Sequence, residues 1–175
     1  MRKQIILAAA LLTSTAALPV LPASADSPVV MVEAIQINAK PKDVFNAILK
    51  YRNSPIDHRR LIQSSPGKAV VDERVSNVPV IGTVHNVWEE SEHPFNRIDY
   101  HMISSDKFKS SSGSYVITQT DPNGPSVLTL QSELDTGIHI PMAKQLTQTN
   151  SRKDMRERLA YIKKLAESNK KVAEK

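Results

Sequence analysis

The feature that most constrains the fold is a long stretch of alternating residues followed by one long helical segment. From Gly67 to Asp135, apolar and polar side chains mostly alternate with a period of two, which is typical of strands with one buried face. Tight-turn sequences such as HPFN and DPNG interrupt the stretch, so consecutive strands should run antiparallel. Only the segment after Pro141 is long enough to cover the buried face of such a sheet. The sequence therefore predicts an α+β fold.

A further strand and a short helix are predicted before this stretch. Residues 29–38, VVMVEAIQIN, are rich in β-branched side chains and alternate, which indicates a strand. Val44, Ile48 and Leu49 then follow helical spacing, and Pro41 suits the first helical position because its missing N–H costs nothing there. We expect one short helix here, or two if residues 56–62 are also helical.

The C-terminal segment is predicted to be a helix from Pro141 to about Lys171. In its second half, apolar residues recur at spacings of four, three and three, which indicates a buried stripe: Met155, Leu159, Ile162 and Leu165. Its first half is more polar, and Ser151 with Asp154 would suit the start of a separate helix. The pattern therefore leaves two alternatives, one continuous helix or a break near Asn150.

The first 25 residues have the composition of a secretory signal peptide. A short basic start is followed by an apolar run and by small residues ending at Ala25, which predicts cleavage before Asp26. We therefore expect a mature domain of residues 26–175 in the periplasm or secreted. The chain has no cysteine, so disulfides are excluded and a hydrophobic core must stabilise an exported domain.

The charge of the chain is weakly basic. The chain has 23 basic and 18 acidic residues, and the predicted leader contains two of the basic ones, Arg2 and Lys3. Much of the remaining excess falls in the last 25 residues, either as an ordinary solvated helix face or as a surface that attracts anionic lipid headgroups. Aromatic residues make up 5% of the chain and are not interleaved with basic ones, so we expect no nucleic-acid partner.

No catalytic or metal-binding motif is present in the sequence. The five histidines lack ligand spacing, and we expect neither a metal nor another cofactor. Four scattered carboxylates on the predicted strands are candidates for a buried acid or base, although acidic residues are mostly exposed: Glu33, Asp99, Glu133 and Asp135. The catalytic residues of any enzymatic activity are therefore unknown.

Four segments together resemble the START-like, or SRPBCC, superfamily, which includes polyketide cyclase/dehydrase and lipid-transport proteins. They are VEAIQINAKPKDVFNAILKYRN, HPFNRIDYHMI, GSYVITQTDPNGPSVLTLQSELD and IPMAKQLTQTN, in the order and spacing of that superfamily. The resemblance implies a helix-grip fold, in which a curved antiparallel sheet of about six to seven strands grips the long C-terminal helix. It also implies a cavity between sheet and helix, which members use for lipids, sterols, quinones or polyketides.

Strand alternation then gives a candidate set of ligand-binding residues. On the predicted strands, the inward-facing candidates are Trp88, Tyr100, Met102, Tyr115, Ile117, Leu128 and Leu130. Met142 and Leu146 of the terminal helix would close the cavity. The alternative is that these residues form a filled, dry core.

Three classes of function remain open at this point. The favoured one is an exported monomeric protein that binds or carries an apolar or amphipathic small molecule, such as a lipid, an isoprenoid or a polyketide-like compound. The second is a cyclase or dehydratase that uses the same cavity. The third is an accessory protein that docks on a membrane surface through its basic C-terminal helix. Fold alone does not decide among them.

Overall fold

Nine helices and strands make up the part of the chain that the computed structural model describes, which is residues 28–55, 58–78, 81–137 and 143–173. In chain order they are β1 (Val29–Ile37), α1 (Pro41–Tyr51), β2 (Arg60–Ser65), β3 (Lys68–Val78), β4 (Gly82–His93), β5 (Arg97–Ser105), β6 (Ser110–Thr118), β7 (Ser126–Asp135) and α2 (Ala143–Ala173). The predicted leader with its cleavage site and the candidate residue Met142 lie outside the described residues.

The described strands form one antiparallel sheet of seven strands in the order β1-β7-β6-β5-β4-β3-β2. Every neighbouring pair from β2 to β7 is consecutive in sequence, so this part of the sheet is a meander. Strand β1 pairs with β7 and forms the edge of the sheet opposite to β2. The predicted α+β class is confirmed: a curved antiparallel sheet packs against one long C-terminal helix, with a short helix after the first strand.

The prediction of a second short helix at residues 56–62 was wrong, because residues 60–62 begin strand β2. Arg60 pairs with Asp72 and Leu61 with Val71, so hydrogen bonding along the sheet edge overrides the local preference of this polar segment. The Leu61 N–H also donates to Oδ1 of Asn53 at 3.0 Å, which ties the strand to the end of α1.

Helix α1 forms where proline and the apolar spacing predicted it. Pro41 occupies the start of the helix, and Asp43 lies in its first turn, where the helix dipole favours an acidic side chain. The face that it buries carries Val44, Phe45, Ala47, Ile48 and Tyr51. Phe45 meets Phe95 edge-on, with ring centroids 5.6 Å apart, so α1 is anchored to the turn between β4 and β5.

Helix α2 is continuous through Asn150, so the break considered from the sequence does not occur. The Asn150 side-chain amide donates to the carbonyl oxygen of Leu146 at 2.8 Å, within the helix. The predicted stripe is buried through Met155, Leu159 and Ile162, and Leu165 is partly buried against the same core.

The main core lies between α1, α2 and the half of the sheet that contains β1, β7 and β6. Helix α2 is tied to β1 by polar contacts as well: Lys163 donates to the carbonyl oxygen of Gln36 at 2.9 Å, and Glu167 accepts from the Asn38 N–H at 2.9 Å. None of the described helices is long and apolar enough to cross a membrane.

Candidate ligand-binding site

The sheet and the N-terminal half of α2 enclose a cavity of about 380 Å³. Its apolar wall includes Met31, Val75, Phe108, Leu130, Leu134 and Met155. Its polar side is formed by groups from β3, β4 and α2, chiefly Glu73, Asn86, Asp154 and Arg158, with Trp88 and Tyr100 also lining it. This volume falls in the range of small-molecule pockets, about 300–1,000 Å³.

Three of the residues predicted to bind a ligand line this cavity, namely Trp88, Tyr100 and Leu130. Tyr115 lies beside them at a small void of about 10 Å³, which it shares with Arg59 and Glu90. A void of that size is enough for about one water molecule.

The other candidates lie elsewhere in the fold. Ile117 and Leu128 belong to the hydrophobic core. Met102 is half-buried opposite Trp88 in the β4–β5 register, and Leu146 is 43% exposed on α2. Met142 lies outside the described residues. Contact of any of the nine candidates with a ligand stays a prediction.

Three aromatic rings form a row on the concave face. Trp88 and Tyr100 meet edge-on with centroids 5.5 Å apart, and Tyr100 lies 5.7 Å from Tyr115. Tyr100 pairs with Glu90 across the two strands, and Met102 pairs with Trp88, in the register set by the turn between β4 and β5. Trp88 and Tyr100 are therefore diagonal neighbours and not directly opposite each other.

The Tyr100 ring lies flat over Gly113 of β6. Its hydroxyl donates to the carbonyl oxygen of Gln131 at 3.0 Å. A Cβ atom at Gly113 would collide with the tyrosine ring and with that same carbonyl oxygen. The glycine is therefore required for the tyrosine to lie across two strands.

A row of seven alternating charges, here called the charge ladder, runs through the interior beside the cavity. In spatial order it consists of Glu92, Arg52, Glu90, Arg59, Glu73, Arg158 and Asp154. The first four of its contacts are 2.7 Å long, and the last two are 3.2 and 3.1 Å. The ladder joins the end of α1, the segment before β2, strands β3 and β4, and helix α2.

Glu73 is the centre of the ladder on the cavity side. It is 1% exposed and accepts from Arg59 at 2.7 Å, from Arg158 at 3.2 Å and from the indole N–H of Trp88 at 2.6 Å. The Tyr51 ring lies between the two guanidinium groups, 4.8 Å from that of Arg59 and 5.4 Å from that of Arg158. Such cation–π contacts favour keeping both guanidinium groups in a desolvated site.

The electrostatics of the ladder fix the charge of Glu73. Burial alone would raise its pKa, but the charges of Arg158 and Arg59 and the hydrogen bonds from Arg59 and Trp88 outweigh burial and hold the pKa below its ordinary value. Burial raises the pKa of Tyr100 and of Tyr115, so both phenols keep their protons. Glu73 is therefore an anion whose oxygens are already engaged, which is unsuited to accepting a proton from a substrate.

Asp154 behaves differently at the cavity end of the ladder. Burial raises its pKa despite the opposing charge of Arg158. Its side chain is still 36% exposed, so solvent moderates this effect. Asp154 therefore lines the cavity and is a weaker acid than an ordinary aspartic acid side chain.

The ladder was not predicted from the sequence, because the inward positions of the strands were expected to be apolar. Glu73 follows Ala69 and Val71 at the inward spacing of β3, and Glu90 follows Val84 and Trp88 at that of β4. This alternation was a usable signal for a buried carboxylate. The acidic residues selected instead lie nearer the surface: Glu33 bonds Arg152 and Arg156, and Asp99 bonds Arg97 and His93.

The four histidines in the described part of the chain are not gathered into a site. His85 contacts the carboxylate of Asp72, and His93 lies 3.0 Å from that of Asp99. Within the described ranges, no group of three or more histidine, aspartate or glutamate side chains is placed to hold a metal ion.

Solved structures with the same fold were found, although no protein-family model and no curated protein matches the sequence. The Zhui aromatase/cyclase of a Streptomyces species superposes with a TM-score of 0.67 at 15% identity over 80% of this chain and 94% of its own. For a START superfamily protein of Mycobacterium smegmatis, the TM-score is 0.59 at 12% identity, covering 79% and 97% of the two chains. Ara h 8.0201 gives 0.58 at 13% identity, covering 81% and 99%.

These likenesses and the observed topology define the class of fold. The chain has the helix-grip fold of the START-like superfamily, which confirms the fold expected from its four sequence segments. At such low identity the comparisons establish architecture only.

Proposed function

We propose that this protein is an exported binding or carrier protein that holds an apolar or amphipathic small molecule in the cavity between the sheet and α2. The lipid, isoprenoid and polyketide-like classes all suit such a site. The observation that carries the proposal is the cavity of about 380 Å³, which has an apolar wall and one polar side. A site of that size and division fits a ligand with an apolar body and one polar end.

The arrangement of the walls supports an oriented ligand. Met31, Leu130 and Leu134 come from neighbouring strands and supply much of the apolar surface, with Ser132 between the two leucines on β7. Asn86 and Asp154 lie on the polar side, and so an amphipathic molecule has one favourable orientation. The fold likeness agrees with this proposal, since helix-grip proteins enclose space between sheet and helix.

Export is a separate part of the proposal. It is supported by the basic start, the apolar run and the small residues before Asp26, and by the lack of cysteine, which makes the domain independent of the redox state of its compartment.

Native mass spectrometry of the protein recovered from periplasm tests the carrier function. We expect a complex heavier than the chain, which releases a small apolar molecule on activation. Ser132→Phe, which fills the cavity from β7, should give ligand-free protein. Gln131→Phe on the opposite face of the same strand is the matched control and should retain the ligand. Ligand-free wild-type protein that also fails to take up added lipid would contradict the proposal.

A second candidate, a cyclase or dehydratase, is favoured by one observation. Asp154 lies at the cavity with its pKa raised by burial, so it is suited to donating a proton to a departing hydroxyl group. Two structures with this fold are described as aromatase/cyclases. Incubation of the identified ligand with the protein should then release one water molecule, and Asp154→Asn should stop that reaction. An unchanged ligand would leave only the carrier function.

Membrane docking, the third class expected from the sequence, has weaker support. Arg152 and Arg156 of the basic helix bond Glu33, and Arg158 belongs to the charge ladder. Three of the nine basic residues of the helix are thus engaged within the fold, which leaves less of its positive charge for anionic lipids.

A further inference from the structure

The cavity contains a buried acceptor without a partner. Oδ1 of Asn86 has no hydrogen-bond partner among the described residues, and Asn86 is 1% exposed and lines the cavity. Leaving such an amide oxygen buried and unsatisfied is unfavourable. Buried polar groups in native proteins are nearly always satisfied, so this oxygen indicates where a bound molecule places a hydrogen-bond donor.

The charged groups around Asn86 are already engaged with one another. Glu73, its cross-strand neighbour, accepts three hydrogen bonds. Arg158 lies 3.2 Å from Glu73 and 3.1 Å from Asp154. Lys153, the other cation of the cavity wall, lies 3.9 Å from Glu157.

These ion pairs make the site unfavourable for a ligand whose polar end carries a charge. A carboxylate placed at Asn86 would face the amide oxygen and the anionic Glu73. Of the cations in the wall, Arg158 is already held by two carboxylates, and the side chain of Lys153 is 77% exposed. An ammonium there would be desolvated beside a carboxylate that has no oxygen left without a donor. Burial of either ion without a partner is strongly unfavourable.

We infer that the ligand of this cavity is an uncharged amphiphile whose polar end is a hydroxyl group, an alcohol or a phenol, and that this hydroxyl donates to Oδ1 of Asn86. The inference rests on the proposed binding function and narrows it to a chemical class. The apolar body then lies along Leu130, Leu134 and Met155.

The test compares four probes with one decyl chain: decyl alcohol, decyl methyl ether, decanoate and decylamine. Isothermal titration of the wild-type protein at neutral pH should show that the alcohol binds about tenfold more tightly than the ether, which accepts but does not donate. Both charged probes should bind more weakly than the alcohol. Equal affinity of ether and alcohol, or tighter binding of decanoate or decylamine, would overturn the inference while leaving the binding function intact.

The variant Asn86→Leu tests whether the preference for the alcohol arises at Asn86. Asn86→Leu keeps the size of the side chain but removes the acceptor, so it should weaken alcohol binding about tenfold and leave ether binding unchanged. Asn123→Leu is the control, since it makes the same change at an exposed position in the turn between β6 and β7, outside the cavity lining. If Asn86→Leu does not fold, the four-probe series on the wild-type protein still decides. If none of the four probes binds, the proposed function itself fails and the inference fails with it.

Discussion

The indole N–H of Trp88 donates to Oε2 of Glu73 at 2.6 Å, so the single tryptophan of the chain is bonded to the centre of the charge ladder. The same indole lines the cavity and touches Tyr100. One residue thus reports on both the ionic interior and the space where a ligand is proposed to bind.

Trp88 should give an optical signal of ligand binding. Because its side chain is 8% exposed, emission of the free protein should be blue-shifted relative to the unfolded protein in guanidinium. Decyl alcohol should change that emission saturably. Trp88→Phe should weaken binding of the alcohol, measured by calorimetry, while the circular dichroism spectrum is kept. Emission equal to that of the unfolded chain would contradict the placement of Trp88.

Glu73→Gln should lower the free energy of unfolding by about 3–5 kcal/mol, because Arg59 and Arg158 would remain buried with too little negative charge. Urea denaturation measures the effect. Glu33→Gln is the matched control: Glu33 also bonds two arginines, but these lie at the surface on α2, so its loss should be much smaller. Equal losses in the two variants would mean that the ladder is hydrated.

The stability of the protein should decrease in acid, partly through Glu73. Its pKa is held below the ordinary value of 4.5, so the folded state binds the proton less tightly than the unfolded chain. The contribution of Glu73 is therefore complete above pH 4.5 and is lost as the pH falls from there towards the folded pKa. Unfolding curves between neutral pH and pH 3 should show a shallower acid decline for Glu73→Gln than for wild type. Parallel curves would mean that the pKa of Glu73 does not differ between the folded and the unfolded protein.

Leu159→Ala should cost about 2–5 kcal/mol of folding free energy, since Leu159 is 2% exposed in the core under α2. Leu146→Ala makes the same chemical change on the same helix at a position that is 43% exposed, and it should stay within about 0.5 kcal/mol. Thermal or urea unfolding of both variants makes the comparison. A small effect at Leu159 would contradict the docking of α2.

The mature protein should begin at Asp26. Expression of the full chain in a bacterium with a periplasm, followed by intact mass measurement of the periplasmic fraction, should give the mass of residues 26–175. A variant with Ala23→Arg and Ala25→Arg should accumulate uncleaved, because signal peptidase requires small residues there. Wild-type protein that keeps residues 1–25 would contradict the prediction.

The order and type of most elements were predictable because their patterns are strong and local. The alternation after Gly67 gives the meander, and the spacing of Met155, Leu159 and Ile162 gives the buried face of α2. Strand β2 was missed because RLIQSS lies mostly exposed at a sheet edge and has little inward pattern of its own. Its structure depends on pairing with β3, which a local pattern does not show.

The candidate site was predictable only in part. Trp88 and Tyr100 share the concave face as alternation indicates, yet the register set by the turn between β4 and β5 makes them diagonal neighbours, and the local pattern does not show that register. The charge ladder was hidden for another reason. Arg52, Arg59 and Arg158 lie on three different segments, and nothing in the local sequence shows that they converge on two carboxylates.

The charge ladder has a consequence for how the chain selects its native pairing during folding. A slip of one residue between β3 and β4 would turn Glu73 or Glu90 to the convex face. Arginines of the interior would then be enclosed without counter-charges, a penalty of several kcal/mol that an entirely aliphatic interior would not impose. Apolar side chains tolerate many neighbours, whereas a guanidinium group requires its carboxylate at one place. The ladder therefore disfavours shifted strand registers and widens the energy gap between the native sheet and its nearest mispaired competitor.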